Sequence, residues 1–134
     1  MEGEFKGSCL CTQVKYSVVG AAHGFYLCHC QYCQKGTGSA HAANLFFPNA
    51  RLTWLQGKSL VKCFSIPNTR HLKAFCTCCG SPLPSVQEVG IVVPAGSLDE
   101  APTIIPSAHL FVASRADWDN QLEKIVAFDT LPTQ

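Results

Sequence analysis

The chain has 134 residues, among them nine cysteines and five histidines, but only ten Lys and Arg against nine Asp and Glu. With 47% hydrophobic and 14% charged residues it lies far from the disordered class, and its length predicts one domain spanning residues 1–134. A net charge of +1 gives no global attraction for nucleic acid or an anionic membrane, and no uncharged stretch is apolar enough to span a bilayer.

The start, MEGEFKGSCLC, lacks a basic region followed by an apolar one, which predicts a soluble, cytoplasmic protein. Short apolar or alternating runs then recur at residues 14–19, 24–27, 45–47, 52–55, 60–66, 90–93 and 108–112, and each reads as a strand. Gly20, Pro48-Asn49, Gln56-Gly57, Pro67-Asn68 and the Pro82/Pro84 pair stand where strands have to end. Helical signal is thin. A helical turn is expected after Cys33, and residues 115–126 make the best helix candidate, with Ser114 as cap and Trp118, Leu122 and Ile125 as an apolar stripe. The expectation is a mainly β fold with one or two short helices, held by metal as much as by its core.

In a reducing compartment a cysteine-dense chain binds metal more readily than it builds disulfides, and nine cysteines cannot pair completely within one chain. Eight of them fall in three clusters: Cys9-x-Cys11, Cys28-His29-Cys30-x-x-Cys33 and Cys76-x-Cys78-Cys79. Residues two apart on an extended segment project to one face, and C-x-x-C presents two thiolates around a tight turn. A structural zinc wants four protein ligands, so Cys9 and Cys11 need a distant pair, which Cys76 and Cys79 supply. Cys28, Cys30 and Cys33 can wrap a second ion but offer no fourth ligand, so that site stays open. A second closed site, completed by His29, Cys78 or His71, is the alternative. His29 faces away from Cys28 and Cys30 on an extended segment, and Cys78 is awkward beside Cys79. A thioredoxin-type redox reading of Cys30 and Cys33 lacks the βαβ surroundings that motif needs. Cys63, in the run LVKCFSI, reads as a core residue.

These clusters, in this order, resemble the glutathione-dependent formaldehyde-activating enzyme family. GSCLCTQVKYSVVG is similar to the family's opening Gly-x-Cys-x-Cys hairpin, CHCQYCQKGTGS to its C-x-C-x-x-C segment, and RHLKAFCTCCGSPL to its Phe-Cys-x-x-Cys-Gly segment. AGSLDEAP, His109 and Trp118 match its later markers. The resemblance implies a zinc-pinned β-tent of small antiparallel sheets. It also implies two zinc ions, a structural one on Cys9, Cys11, Cys76 and Cys79 and a catalytic one on Cys28, Cys30 and Cys33. Thr12 stands where a glycine often follows the second cysteine, and Gln34 where many members have arginine.

The implied activity is the reversible joining of formaldehyde, or another small aldehyde, to glutathione, formally a carbon–sulfur lyase reaction. Three thiolates around zinc blunt its action on water and favour a soft thiol as the next ligand. Glutathione carries carboxylates, for which Lys35, Arg70 and His71 are the nearest cationic candidates, and His109 is a candidate proton carrier. The competing expectations are a non-catalytic zinc-stabilised binding module, a glutathione carrier, or a thiol oxidoreductase using Cys78 or Cys63.

Overall fold

The alternating apolar positions do form strands: the computed structural model, which describes residues 2–132, arranges eleven of them in three sheets. The first sheet joins β1 (Glu2–Ser8), β2 (Lys15–Ala21) and β5 (Arg51–Gln56) in that order. The second comprises β3 (Gly24–Cys28), β4 (Ala42–Phe47), β9 (Ser85–Gln87), β10 (Gly90–Pro94) and β11 (Ala108–Leu110), in the order β11-β3-β4-β10-β9. The third is the meander β6 (Val61–Ser65), β7 (Leu72–Cys76) and β8 (Pro82–Leu83). The fold is therefore mainly β, built from small sheets that are antiparallel except where β11 runs parallel to β3.

One core receives a face of every sheet. Tyr16 and Val18 come from β2, Leu45 and Phe47 from β4, Ile91 and Val93 from β10, and Ala74, Cys76 and Leu83 from the third sheet. Fully burying side chains of the size of Leu45 or Phe47 is worth about 1.5–3 kcal/mol each. Phe5 adds an edge-to-face contact on Phe47 at 5.1 Å between ring centroids. Burying Tyr16 requires a partner for its hydroxyl. It donates to Ser97 Oγ at 2.6 Å, because the Ser97 hydroxyl is itself committed to the Pro94 carbonyl at 2.7 Å.

The α-helix among the described residues is α1 (Gln31–Thr37), where the turn after Cys33 was expected. Cys30 caps its start with extended backbone and a side chain that accepts from the Cys33 N–H at 3.3 Å, and Gly38 ends it in the left-handed conformation.

Two expectations are corrected. Residues 115–126 form no α-helix; they hold one short 3-10 turn, at Leu122–Lys124, and another, at Val112–Ser114, ends just before them. Trp118, Leu122 and Ile125 are exposed, so the apolar stripe has no surface to pack against and helix formation gains nothing from tertiary burial. Cys63 is exposed rather than core, because β6 meets the core only at Val61 and runs out beyond it, leaving residues 62–65 exposed.

Candidate functional site

The turn between β1 and β2 carries Cys9 and Cys11, and the turn between β7 and β8 carries Cys79 just after Cys76. Folding brings these four sulfurs within 4.8 Å of one another. Cys9 Sγ lies 3.5 Å from Cys11 Sγ, which in turn lies 3.9 Å from Cys76 Sγ. The Cys78 N–H donates to Cys76 Sγ at 3.4 Å and the Val14 N–H to Cys9 Sγ at 3.3 Å; at Cys9, burial opposes ionisation but this bond and the neighbouring thiols prevail and lower the thiol. The Ser81 hydroxyl beside Cys79 pulls its thiol down to about 5. At Cys11 the Gln13 amide pulls the same way, but burial and the sulfurs of Cys9, Cys79 and Cys76 outweigh it and push the thiol up to about 12. Thiols this close cannot all ionise side by side without a cation among them, and four soft sulfurs make a closed shell for one.

The second group is built locally. Cys28 ends β3, Cys30 caps α1 and Cys33 sits in its first turn, and these three half-buried thiols also lie within 4.8 Å of one another. Among the described residues no fourth Cys, His, Asp or Glu joins them, and neither His71 nor Cys78 joins either group. Burial, reinforced by Cys30 and Cys28, raises the Cys33 thiol. Burial acts the same way on Cys30, but there the Cys33 N–H and neighbouring thiols prevail and lower it. The two groups thus differ in openness, and each can hold a metal ion.

Behind the open group His29 is buried, 1% exposed. Its Nε2 lies 2.8 Å from Nδ1 of His109, and its Nδ1 lies 3.1 Å from Asp119 Oδ2, without hydrogen-bond alignment. Burial lowers the His29 pKa despite the Asp119 charge, so the ring is neutral near pH 7. Arg115 Nε approaches the same Asp119 oxygen at 3.5 Å. The His29 N–H donates to the Leu110 carbonyl at 2.8 Å, and the Gln34 amide donates to both the His29 and Ser114 carbonyls, at 2.7 and 2.9 Å. Gln34, the departure from arginine, is thus a brace between the Cys28–Cys33 loop and the later segment.

Of the expected cations, His71 reaches α1, its ring 5.5 Å from that of Tyr32. Arg70 lies apart, in a hollow of about 370 Å3 that it shares with Glu88. Lys73 was not singled out from the sequence, yet its ammonium donates to the Gly36 carbonyl at the end of α1. Asp119 and His41, whose ring lies 5.2 Å from that of His29, were missed as well. No local motif marks them, since only the fold brings them to the C-x-C loop. Cys78 is exposed and accepts from the Gln13 amide at 3.2 Å.

The model of the family described as "Glutathione-dependent formaldehyde-activating enzyme" matches residues 4–114. The chain belongs to that family. The matched span contains all seven clustered metal-type cysteines and His109, and stops before Arg115 and Asp119. Among curated proteins none matches. A crystal structure of a Rhodobacter sphaeroides protein is similar with a TM-score of 0.55 at 17% identity, covering 78% of this chain and 98% of that one. At that identity it supports the family's fold and carries nothing about its chemistry.

Proposed function

We propose that the chain, acting as one unit, is a zinc-dependent carbon–sulfur lyase of the S-(hydroxymethyl)glutathione synthase kind. Its substrates are glutathione adducts of formaldehyde or another small aldehyde. Cys9, Cys11, Cys76 and Cys79 hold a structural zinc, and Cys28, Cys30 and Cys33 hold the catalytic one. The observation that carries this reading is the contrast between a group of four thiols and a group of three that no further Cys, His, Asp or Glu joins among the described residues. Zinc held by Cys28, Cys30 and Cys33 as thiolates would supply the Lewis acidity that lowers the pKa of a substrate thiol offered as its next ligand.

In the joining direction the glutathione sulfur forms a bond to the aldehyde carbon, the carbonyl π bond breaks, and the thiol proton ends on the new hydroxyl. The chain's part is to hold and orient. Tyr32 and Lys35 on α1, with His71 and Lys73 beside it, line the side on which glutathione carboxylates are held. His29 Nε2 and His109 Nδ1, 2.8 Å apart, share one proton, a contact that fixes the His109 ring at the edge of the site.

The test is zinc content together with X-ray absorption of the metal, with and without glutathione. The expected result is two zinc ions per chain, one of which gains a sulfur ligand when glutathione is added. One zinc per chain, or two sites indifferent to glutathione, overturns the proposal.

A further inference from the structure

The segment after residue 100 is unlike the rest of the molecule. Residues 101–132 contain no buried residue, yet they carry Ile105, Phe111, Trp118, Ile125, Val126 and Leu131 at more than 60% exposure. Segments that stay solvated on their own are poor in such residues and rich in charge. This one is neither, with Arg115, Asp117, Asp119, Glu123, Lys124 and Asp129 its only charged side chains. It is nonetheless anchored, through β11 on β3, the Gln34 bridge to Ser114 and Asp119 at His29.

Surface area says how much cover is missing. The chain exposes 9040 Å2. A compact monomer of 14.5 kDa exposes about 6,900 Å2, so the excess is about 2,100 Å2. Standard interfaces bury about 800 Å2 per partner and obligate homodimers about 1,000–2,500 Å2, with more apolar surfaces. The excess falls in the second class. A net charge of only +1 puts little repulsion between identical chains. A second copy also brings an identical apolar segment, as a two-fold contact requires.

We propose that residues 104–131 form the contact surface of a homodimer, in which the segment from each copy packs reciprocally against the other. The dimer covers the apolar side chains and presses the same segment against the loop of Cys28, Cys30 and Cys33 from behind. The inference does not depend on which thiol that loop binds.

The decisive measurement is the mass of the metal-loaded full chain by sedimentation equilibrium, for the native protein and for a variant combining Ile125→Asp, Val126→Asp and Phe128→Asp. These three side chains are exposed in the single chain, so the variant retains its far-UV circular dichroism. The expected result is twice 14.5 kDa for the native chain and a single-chain mass for the variant at micromolar concentration. Hydrogen exchange on the native protein gives a second readout that needs no variant: amides of 122–128 gain protection as concentration rises. A native monomer overturns the proposal, as does a dimer that the three aspartates leave intact. Concentration-independent protection of these amides in a chain that sediments as a monomer likewise overturns it, by assigning the cover to the chain itself. A native monomer that floats with lipid vesicles overturns it by assigning the face to lipid.

Discussion

Thr12 shows how a single residue can carry a cost beside a group of four cysteines. It has φ +67, in the left-handed region that a β-branched side chain rarely enters, and its N–H closes the turn onto the Cys9 carbonyl at 3.0 Å. A glycine is the residue that the family resemblance leads one to expect there, and the backbone angle supplies the reason. Its side chain is exposed, so removing it loses no packing. Left-handed backbone costs a residue with a Cβ roughly 1–2 kcal/mol, and glycine's greater freedom in the unfolded chain returns about 0.5–1 kcal/mol of that. Thr12→Gly is therefore expected to stabilise the metal-loaded protein by about 0.5–1 kcal/mol, read as a higher urea midpoint at unchanged slope. A lower midpoint would show that the Thr12 side chain contributes more than its backbone costs.

At the scale of elements, what could be read from the sequence depended on whether a face had a core to meet. β2, β4 and β10 were visible because Tyr16, Val18, Leu45, Phe47, Ile91 and Val93 alternate or cluster toward one interior. β1 was not, since EGEFKGS offers one large apolar residue, Phe5, among charges and glycines. The stripe at Trp118, Leu122 and Ile125 has helical spacing, but spacing predicts a helix only where something lies under the stripe. The cysteine spacing was legible because C-x-C and C-x-x-C are local, whereas Asp119 reaches His29 only through the fold. Turns tell a similar story. Gly57, read as a strand terminator, has φ +74, and a Cβ there would lie 2.2 Å from the Gln13 carbonyl oxygen, beside the turn that carries Cys9 and Cys11. Gly38 has φ +68 but open space around it. Both alanine variants meet the strain of left-handed backbone, about 1–2 kcal/mol. Only Gly57→Ala must also displace backbone, so its loss in denaturant titration is expected to exceed that of Gly38→Ala by about 2 kcal/mol or more. Equal losses would mean that the Gln13 turn yields freely.

For the whole molecule, the two cysteine groups do different work because they close loops of different length. Cys9 and Cys11 stand in the first sheet's turn, and Cys76 and Cys79 in the third sheet's, so a metal ion on these four ties two sheets that share no strand pairing. Cys28, Cys30 and Cys33 lie within one β3–α1 segment, which the Leu110, Ser114 and Asp119 contacts also hold in place. A structural zinc is worth about 10 kcal/mol or more in small domains, comparable to the entire stability of a typical one. Cys76 is fully buried within its group, so serine at that position replaces a soft sulfur donor by a hard hydroxyl and opens the four-sulfur shell. Cys76→Ser is expected to abolish the cooperative thermal transition. Cys30→Ser should lose one metal equivalent while keeping far-UV circular dichroism, and a serine oxygen at that position can still cap α1. If both variants unfolded alike, or if each lost both ions, the groups would be energetically one site and the division into four and three would fail.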